Sequence, residues 1–257
     1  MNRRELLGLF GAGVITASQA VAQQPAPAFS ALDHIEFYVS NVEKSRDFFV
    51  NVFGNTLLSR NNKRYLKLGA SYMAFEQPRA SSEIKVDHTS IAIKGLEMPK
   101  LHAFLEQRGV AYQDYPSGRD TAVVDADSIR LQLSPENGWS LLSPTNFKPE
   151  EIAIAEEPIF RPAGLDHVVL NVTELEKSAA FYQKFLDASV FGSRVRLQLK
   201  PAGQRPGVSY FCVKASAFNA EAASRRLQQI GAKVESPENP GTLRFRDPDG
   251  YLIQIMS

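Results

Sequence analysis

Two stretches of the chain repeat one another and decide the fold. The first is ALDHIEFYVSNVEKSRDFF, residues 31–49, and the second is GLDHVVLNVTELEKSAAFY, residues 164–182. In each, a histidine opens a short run rich in β-branched and aromatic residues, which predicts a strand. A capping residue and apolar positions at helical spacing follow, which predicts an amphipathic helix. One supersecondary unit is therefore expected at least twice.

Two further units of the same plan lie between and after these stretches. VDHTSIAIKG, residues 86–95, and GVSYFCVKA, residues 207–215, are each followed by a helical pattern and then by short strands. Both units end alike, with DADSIRLQL at 125–133 and DPDGYLIQI at 247–255. Asp247-Pro248-Asp249-Gly250 is a strong hairpin signal, because proline presets the bend and glycine takes positive φ. The pattern predicts strand–helix–strands four times, each unit completing its core against a neighbour.

The units group into two halves. Residues 135–163 are rich in proline and lack clear periodicity, which predicts a linker. The first half is then 31–134, with units at 31–78 and 86–134. The second half is 164–257, with units at 164–200 and 207–257, and the unit at 164–200 looks shortened by about one strand.

The order LDH, EKS-x-x-FY and FRDPDGYLIQI resembles the vicinal oxygen chelate superfamily, which includes glyoxalases, bleomycin- and fosfomycin-resistance proteins and extradiol dioxygenases. The resemblance covers essentially the whole chain after the first thirty residues. It implies an α+β fold in which four βαβββ modules pair into two half-barrel cavities. It leaves the activity open, because this fold carries many chemistries.

The first 22 residues predict an export signal. Arg3 and Arg4 precede a short apolar run and the small-residue site at Ala20-Val21-Ala22. The paired arginines are typical of the bacterial twin-arginine route. The apolar run is too short for a stable membrane anchor. We therefore expect a periplasmic or secreted protein with a loose mature terminus at 23–30.

Composition excludes several classes of protein. The chain is 44% hydrophobic and 22% charged with a net charge of +1, which predicts a globular fold and gives no sign of a nucleic-acid partner. Cys212 is its only cysteine, so no intrachain disulfide forms, and its apolar surroundings predict a buried side chain. A small-molecule ligand is the expected partner, and the chain is expected to be a monomer or a homodimer.

Strand alternation predicts which side chains face the first cavity. Since every second residue shares a face, Ile35 and Phe37 should pack under the helices. The concave face then collects His34, Glu36, Tyr38, His88, Arg130 and Gln132. Arg130 is expected to hold a substrate carboxylate or phosphate, or else to pair with Glu36, because an unpaired buried guanidinium is costly.

The resemblance implies specific ligand positions in the first half. Metal-binding members of the superfamily take ligands from the opening and closing strands of paired modules, which here are His34, Ala74, His88 and Gln132. Imidazoles suit iron, zinc, nickel or manganese, whereas an alanine provides no donor. Glu36 lies one pleat further along and is the candidate general base. Tyr38 and Tyr72 are candidate stacking faces for a planar ligand.

The second half offers a poorer ligand set. The equivalent positions are His167, Gln198, Tyr210 and Gln254, with one imidazole and no carboxylate. Ring-cleaving iron chemistry uses two histidines and one carboxylate. We therefore expect a metal-free, polar-lined pocket or a purely structural half.

Two functions stay open on the sequence. The first is an exported glyoxalase- or dioxygenase-like enzyme with a divalent metal at His34, His88 and Gln132. The second is a metal-free protein that sequesters a planar ligand, which Ala74 and the ligand-poor second half favour. In that case His34 is a satisfied polar group of the cavity wall.

Overall fold

A computed structural model describes residues 24–78, 84–142, 145–154, 156–186, 196–201, 205–235 and 241–257. Within these ranges the chain forms two β-sheets with α-helices packed on them, so the predicted α+β class is confirmed. None of the helices in these ranges has the length and apolar composition that a membrane span requires. The predicted export signal at 1–22 lies outside the described residues.

The first half follows the predicted plan twice. The first module runs β1 (Ala28–Tyr38), α1 (Val42–Phe53), β2 (Leu57–Arg60), β3 (Lys63–Leu68) and β4 (Ser71–Glu76). The second module runs β5 (Val86–Lys94), α2 (Met98–Gln107), β6 (Gln113–Asp114), β7 (Thr121–Val124) and β8 (Arg130–Pro135). With strand β9 (Lys148–Glu150), which follows the second module, the strand order is β6-β7-β8-β5-β1-β4-β3-β2-β9.

The pairing of β1 with β5 at the centre of this sheet positions the first cavity. The two opening strands run antiparallel, with Glu36 opposite His88 and His34 opposite Ser90. Each opening strand also pairs in parallel with the closing strand of its own module, β1 with β4 and β5 with β8. His34 and His88 therefore lie on adjacent strands of this sheet.

The second half contains β10 (Pro162–Val172), α3 (Leu175–Gln183), β11 (Arg196–Pro201), β12 (Gly207–Ala215), α4 (Ala220–Gln229), β13 (Lys233–Glu235), β14 (Thr242–Arg246) and β15 (Leu252–Met256). The order in the sheet is β11-β10-β12-β15-β14-β13. The predicted shortening of the third module concerns residues 187–195, which lie outside the described residues. The fourth module follows the predicted plan in full.

Two predicted boundaries are wrong. Residues 28–30 belong to β1 instead of a loose terminus, because β1 pairs with β5 from Ala28 onward. The predicted linker at 135–163 contains a 3-10 helix, Gly138–Leu141, and strand β9 (Lys148–Glu150). Since β9 pairs with β2, this segment extends the first sheet by one strand.

Helix α1 buries its apolar stripe, whereas Leu175 at the start of α3 is exposed. Asn41 caps α1 by accepting a hydrogen bond from the amide of Lys44, and Gly54 ends the helix at φ 102°, as expected. The residues Val42, Phe48, Phe49 and Val52 are buried in the core. Thr173, the capping candidate in the second of the two repeated stretches, does not cap α3: its amide and hydroxyl both donate to Asp127, and Glu174 is the capping position.

The two halves contact one another through their closing turns in a pseudo-twofold arrangement. Asp127, in the turn before β8, accepts hydrogen bonds from Thr173 at the start of α3. Asp249, in the turn before β15, accepts one from the amide of Ser40 and one from the hydroxyl of Ser45 at the start of α1. Each half therefore places an aspartate at the N-terminus of the other half's first helix, where a negative charge is favourable.

Candidate metal centre in the first half

A cavity of about 450 Å³ lies on the concave face of the first sheet. Five of the predicted site residues line it, His34, Glu36, Tyr72, His88 and Gln132. All five are buried, with at most 9% of any of them exposed. The face assignment from strand alternation is therefore confirmed for these positions.

His34 and His88 meet at the floor of the cavity. Their Nε2 atoms lie 3.0 Å apart, and the rings are nearly perpendicular. Two nitrogen lone pairs do not face each other at this distance without a proton or a cation between them. Two nitrogens that bind one ion at about 2.1 Å lie about 3.0 Å apart when they subtend a right angle at the ion. The distance therefore fits a hydrogen bond between the two rings and equally a divalent metal bound by both.

Each of these histidines is oriented by the aspartate that precedes it. Asp33 Oδ2 lies 2.7 Å from Nδ1 of His34, and Asp87 Oδ2 lies 2.8 Å from Nδ1 of His88. A carboxylate at Nδ1 holds the hydrogen there and directs Nε2 toward the cavity, the usual outer contact of metal-binding histidines. A register shift between Leu32 and His34 accompanies the first pair, and a bulge of this kind re-aims a side chain.

Asp33 is fixed in turn by the segment after β8. Its Oδ1 accepts the amide hydrogen of Gly138 at 2.9 Å. A Cβ atom on residue 138 would lie 2.2 Å from Asp33 Oδ2, so only glycine allows this approach. The same segment brings Leu141, Leu142 and Phe147 to the cavity wall. The predicted linker is therefore part of the site.

Asp87 collects two of the residues that were predicted to contact substrate. The hydroxyl of Tyr38 donates to Asp87 Oδ1 at 3.1 Å, and the guanidinium of Arg130 donates to Oδ2 at 3.0 Å. Burial opposes the charge on Asp87, but His88, Arg130 and Tyr38 outweigh it and lower the pKa of this carboxyl far below its usual range. These contacts keep Asp87 ionised beside His88.

Arg130 is not among the residues that line the cavity, so its predicted orientation toward the cavity is wrong. Its side chain is 44% exposed and lines a different depression beside Asp87. The alternative prediction, a pair with Glu36, is also wrong, because Glu36 pairs with Lys63. The substrate-contact roles of Tyr38 and Arg130 stay predictions, and the contacts in the structure are those with Asp87.

Glu36 forms a buried ion pair with a lysine that the sequence did not single out. Lys63 Nζ lies 2.5 Å from Glu36 Oε1 and 3.2 Å from Glu76 Oε1. Burial disfavours both charges. The attraction of His88 and Lys63 nevertheless lowers the pKa of Glu36, and that of Glu36 raises the pKa of Lys63. Glu36 is therefore held as a carboxylate.

Aromatic rings form one side of the cavity. Tyr72 stacks on His34 with 4.5 Å between the ring centroids and 16° between the planes. Tyr65, Tyr115 and Phe147 also line the cavity. Such walls suit a planar ligand, because aromatic faces contact it over a large area. Of these residues only Tyr72 was predicted.

The closing strand supplies Gln132 as predicted. It lies opposite Ser90 in the parallel pairing of β5 with β8 and is 7% exposed. Ala74, at the equivalent position of β4, is fully buried and lies opposite Glu36. The four positions that the resemblance implies thus hold two imidazoles, one amide and one methyl group.

The second half repeats the Asp–His pair without a second imidazole. His167 Nδ1 lies 2.7 Å from Asp166, and Tyr210 packs against the His167 ring with 5.7 Å between centroids. The guanidinium of Arg244 lies 4.3 Å from the centroid of Tyr210. Gln254 is buried, whereas Gln198 lies on the outermost strand of the described sheet and is exposed.

Solved structures with the same fold include extradiol dioxygenases. The 2,3-dioxygenase LapB from Pseudomonas sp. KL28 has a TM-score of 0.68 at 17% identity, covering 90% of this chain and 94% of that chain. Homoprotocatechuate 2,3-dioxygenase from Brevibacterium fuscum, in complex with 3,4-dihydroxyphenylacetate, has a TM-score of 0.65 at 15% identity, and the match covers 90% of this chain and 81% of that chain. A catechol 2,3-dioxygenase has a TM-score of 0.64 at 14% identity, and the match covers 89% of this chain and 88% of that chain.

The chain shares the fold of these extradiol dioxygenases, the fold that the resemblance implied. The sequence itself matches no protein-family model and none of the curated proteins. At 14–17% identity the likeness concerns the fold, and the activity has to be argued from the cavity.

The site residues that sequence reasoning missed fall into two kinds. Asp33, Asp87 and Asp166 were visible as the first letter of a repeated Asp–His dipeptide. Lys63 and Tyr65 carry no such signal. They reach the cavity because β3 pairs with β4 in a register that places Lys63 opposite Glu76.

Proposed function

We propose that the protein is a dioxygenase-like enzyme of the vicinal oxygen chelate fold that binds a divalent metal in its first half and acts on a small planar molecule with adjacent oxygen atoms. One observation carries the proposal, the 3.0 Å approach of His34 Nε2 and His88 Nε2 at the floor of an aromatic-walled cavity. The ligand types suit iron, zinc, nickel or manganese.

The residues of the chain have separable tasks in this proposal. Asp33 and Asp87 hold the hydrogens on the Nδ1 atoms, so that His34 and His88 present Nε2 to the cavity. A bound divalent ion supplies Lewis acidity that stabilises negative charge on a coordinated oxygen. Tyr72 fixes the plane of His34 by stacking on it. Glu36 is kept as a carboxylate, the form that accepts a proton or binds a cation.

Metal content decides the proposal. Purified protein is exposed to iron(II), zinc, nickel or manganese, dialysed, and analysed by inductively coupled plasma mass spectrometry. We expect one ion per chain in the wild type and loss of that ion in His34→Ala. His102→Ala is the matched control, because His102 lies on α2 and pairs with the exposed Asp114. Retention of metal by His34→Ala, or none in the wild type, would contradict the proposal.

Substrate class is tested separately. Catechol and 3,4-dihydroxyphenylacetate are the first compounds to try, because the latter is bound in a structure of the same fold. Binding is measured as a rise in thermal midpoint, and turnover as oxygen consumption. Oxygen uptake that EDTA abolishes supports the enzyme.

A metal-free sequestering protein is the second candidate, and Lys63 favours it. Its ammonium group already places a positive charge against Glu36 in the cavity, and Ala74 offers no donor. A protein of this kind loses no thermal stability when EDTA is added, whereas a metal protein does. Ligand-induced stabilisation that is equal with and without EDTA supports this candidate.

We propose further that residues 1–22 export the protein in folded form by the twin-arginine route. The pattern of Arg3, Arg4 and Ala22 supports this. Replacing Arg3 and Arg4 with lysine is expected to leave the full-length precursor in the cytoplasm, while the wild type appears outside with a terminus near Gln23. N-terminal sequencing of the periplasmic fraction measures this, and a processed, exported double-lysine variant would contradict it.

A further inference from the structure

The cavity lacks a carboxylate at both positions where the closing strands face it. Gln132 stands on β8 and Ala74 on β4. An amide oxygen is a weak ligand and a methyl group is none, so two imidazoles and one amide bind a divalent ion poorly. A carboxylate from another strand would complete the more common set of two histidines and one carboxylate.

Glu36 is placed to supply that carboxylate. It lies two residues after His34 on the same face of β1 and directly opposite His88 on β5. Ligand atoms of Glu36, Asp87 and His88 all lie within 4.8 Å of one another, a group that does not include His34. Glu36 is 9% exposed, and a carboxylate this buried requires a cation beside it.

Both oxygens of Asp87, the other carboxylate of that group, already accept hydrogen bonds. Its Oδ1 accepts the hydroxyl of Tyr38, and its Oδ2 is shared by His88 Nδ1 and Arg130. These bonds hold Asp87 behind the imidazole. Glu36 has one described partner, the ammonium group of Lys63.

Lys63 is a cation that can leave. Its Nζ lies between Glu36 and Glu76, and Glu76 is the more exposed of the two carboxylates, at 26% against 12% of the side chain. A lysine has a flexible four-carbon stem, so a small rotation keeps the pair with Glu76 and frees Glu36. The Glu36 carboxylate then has room for a different cation.

We propose that Glu36 is the third protein ligand of the first-half metal ion, and that Lys63 is the counter-ion which holds this carboxylate until the metal replaces it. The inference rests on the metal site proposed above. In this arrangement the carboxylate ligand lies on the opening strand β1 instead of a closing strand. Lys63 and the metal then compete for the Glu36 carboxylate.

Metal affinity distinguishes this arrangement from a role of Glu36 as a base alone. Apparent dissociation constants for zinc and cobalt(II) are measured by competition with a chromophoric chelator. Glu36→Gln should weaken binding by more than the about 10–100-fold that loss of an outer contact costs. Lys63→Met should tighten binding several-fold. The double variant should bind as weakly as Glu36→Gln, because Lys63 acts only through Glu36.

Spectroscopy adds a readout independent of affinity. The visible absorption of bound cobalt(II) reports its ligands, so Glu36→Gln should shift it while Lys63→Met should leave it unchanged. Because Glu36→Gln leaves Lys63 without its closest partner, the double variant with Lys63→Met is the folding control. Far-UV circular dichroism checks that each variant retains the wild-type fold.

The two proposals fail in different ways. If His34→Ala abolishes binding while the double variant and Glu36→Gln both bind as the wild type does, the metal site stands and Glu36 is not a ligand. If Lys63→Met leaves affinity unchanged while Glu36→Gln weakens it, Glu36 is a ligand and the competition is wrong. If His34→Ala has no effect, the metal site itself is wrong.

Discussion

The two halves of the molecule have the same order of strands, and each has an Asp–His pair at its concave face. The residue that faces the histidine differs between the halves. In the first half His88 faces His34 across the β1–β5 pairing. In the second half the equivalent position on β12 is Tyr210, opposite Val169 instead of a carboxylate. The two concave faces thus differ by one histidine on the strand beside the Asp–His pair.

A second difference concerns space. Arg244 lies opposite Gln254 and rests on the ring of Tyr210, whereas Ala122 lies opposite Gln132 in the first half. The alanine leaves the first cavity open, and the stacked guanidinium and phenol occupy the corresponding part of the second. The duplicated modules thus keep the same fold, while single side chains decide whether the cavity can hold a ligand.

The largest effect is expected when His88 of the first half is replaced by tyrosine, the residue that the second half has at the equivalent position. His88→Tyr should abolish metal binding, because it removes one of two imidazoles and leaves His34 alone. The measurement is metal content after dialysis. The converse variant, Tyr210→His, should bind no additional ion, since Val169 supplies no carboxylate where the first half has Glu36. A second ion per chain in that variant would show that two facing imidazoles bind an ion without a carboxylate at the position of Glu36.

The Asp–His pairs allow a finer comparison. Asp33→Asn and Asp87→Asn should each weaken metal affinity about 10–100-fold, the cost of losing an outer carboxylate. Asp166→Asn is the matched control and should leave affinity unchanged, because its partner His167 stands in the second half. Chelator competition measures all three, and equal effects of Asp33 and Asp166 would contradict the asymmetry.

The closing turns differ between the halves in one hydrogen bond. Asp125 Oδ1 and Asp247 Oδ1 each accept two backbone amides of their own turn. Asp125 Oδ2 also accepts the hydroxyl of Tyr182 at 2.8 Å, while Asp247 Oδ2 is buried without a partner among the described residues. The sequence explains this, since the helix position of Tyr182 corresponds to Phe49.

Removing that hydroxyl should make the first turn resemble the second. Tyr182→Phe leaves the ring in place but deprives Asp125 Oδ2 of its donor, which should lower the free energy of unfolding by about 1–3 kcal/mol. Urea denaturation measures the change. Tyr112→Phe is the control, because its hydroxyl bonds to Glu106 on the surface and should contribute less than about 0.5 kcal/mol. Equal losses would rule out the buried bond as the cause.

The smallest expected effect on the free energy of unfolding comes from adding a hydroxyl beside Asp247, and it depends on pH. Burial raises the pKa of Asp247 to about 7, against the opposing amide hydrogen bonds. Because this exceeds the usual value of about 4, the folded state binds the proton more tightly, and this carboxyl's stabilising contribution falls as pH rises from about 4 to about 7. Phe49→Tyr should offer Asp247 a donor and stabilise the protein by about 1 kcal/mol at pH 8.

That gain should shrink below pH 6, where Asp247 is protonated in the folded state. Urea denaturation of the wild type and Phe49→Tyr at pH 5 and pH 8 measures it. An equal shift at both values would mean that the new hydroxyl acts on something other than Asp247. Asp247→Asn combined with Phe49→Tyr should remove the pH dependence of the gain.

Much of the fold was accessible from local patterns. The repeated LDH motif, the helical stripe that includes Phe48 and Val52, and the turns at Asp125 and Asp247 predicted the modules, because each depends on neighbours within about twenty residues. The strand at Lys148–Glu150 was missed, since three residues carry no periodic signal and the strand exists only through its pairing with β2.

The candidate site was predictable in part for a similar reason. Alternation placed His34, Glu36 and His88 on one face correctly, because β1 and β5 are continuous strands. It failed for Arg130, which begins β8 and is drawn to Asp87 outside the cavity. Alternation fixes which face a residue occupies, but a long charged side chain goes to the nearest opposite charge.

The sequence by itself determined the repeated strand–helix–strand plan and placed an Asp–His dipeptide at the start of three modules, since these follow from residue type and spacing. Only the tertiary structure decided that His34 and His88 meet at 3.0 Å, that Lys63 reaches Glu36, and that Gly138 fastens Asp33 from a segment more than a hundred residues away. Those contacts depend on strand register and on close approach between distant segments, which no local pattern encodes.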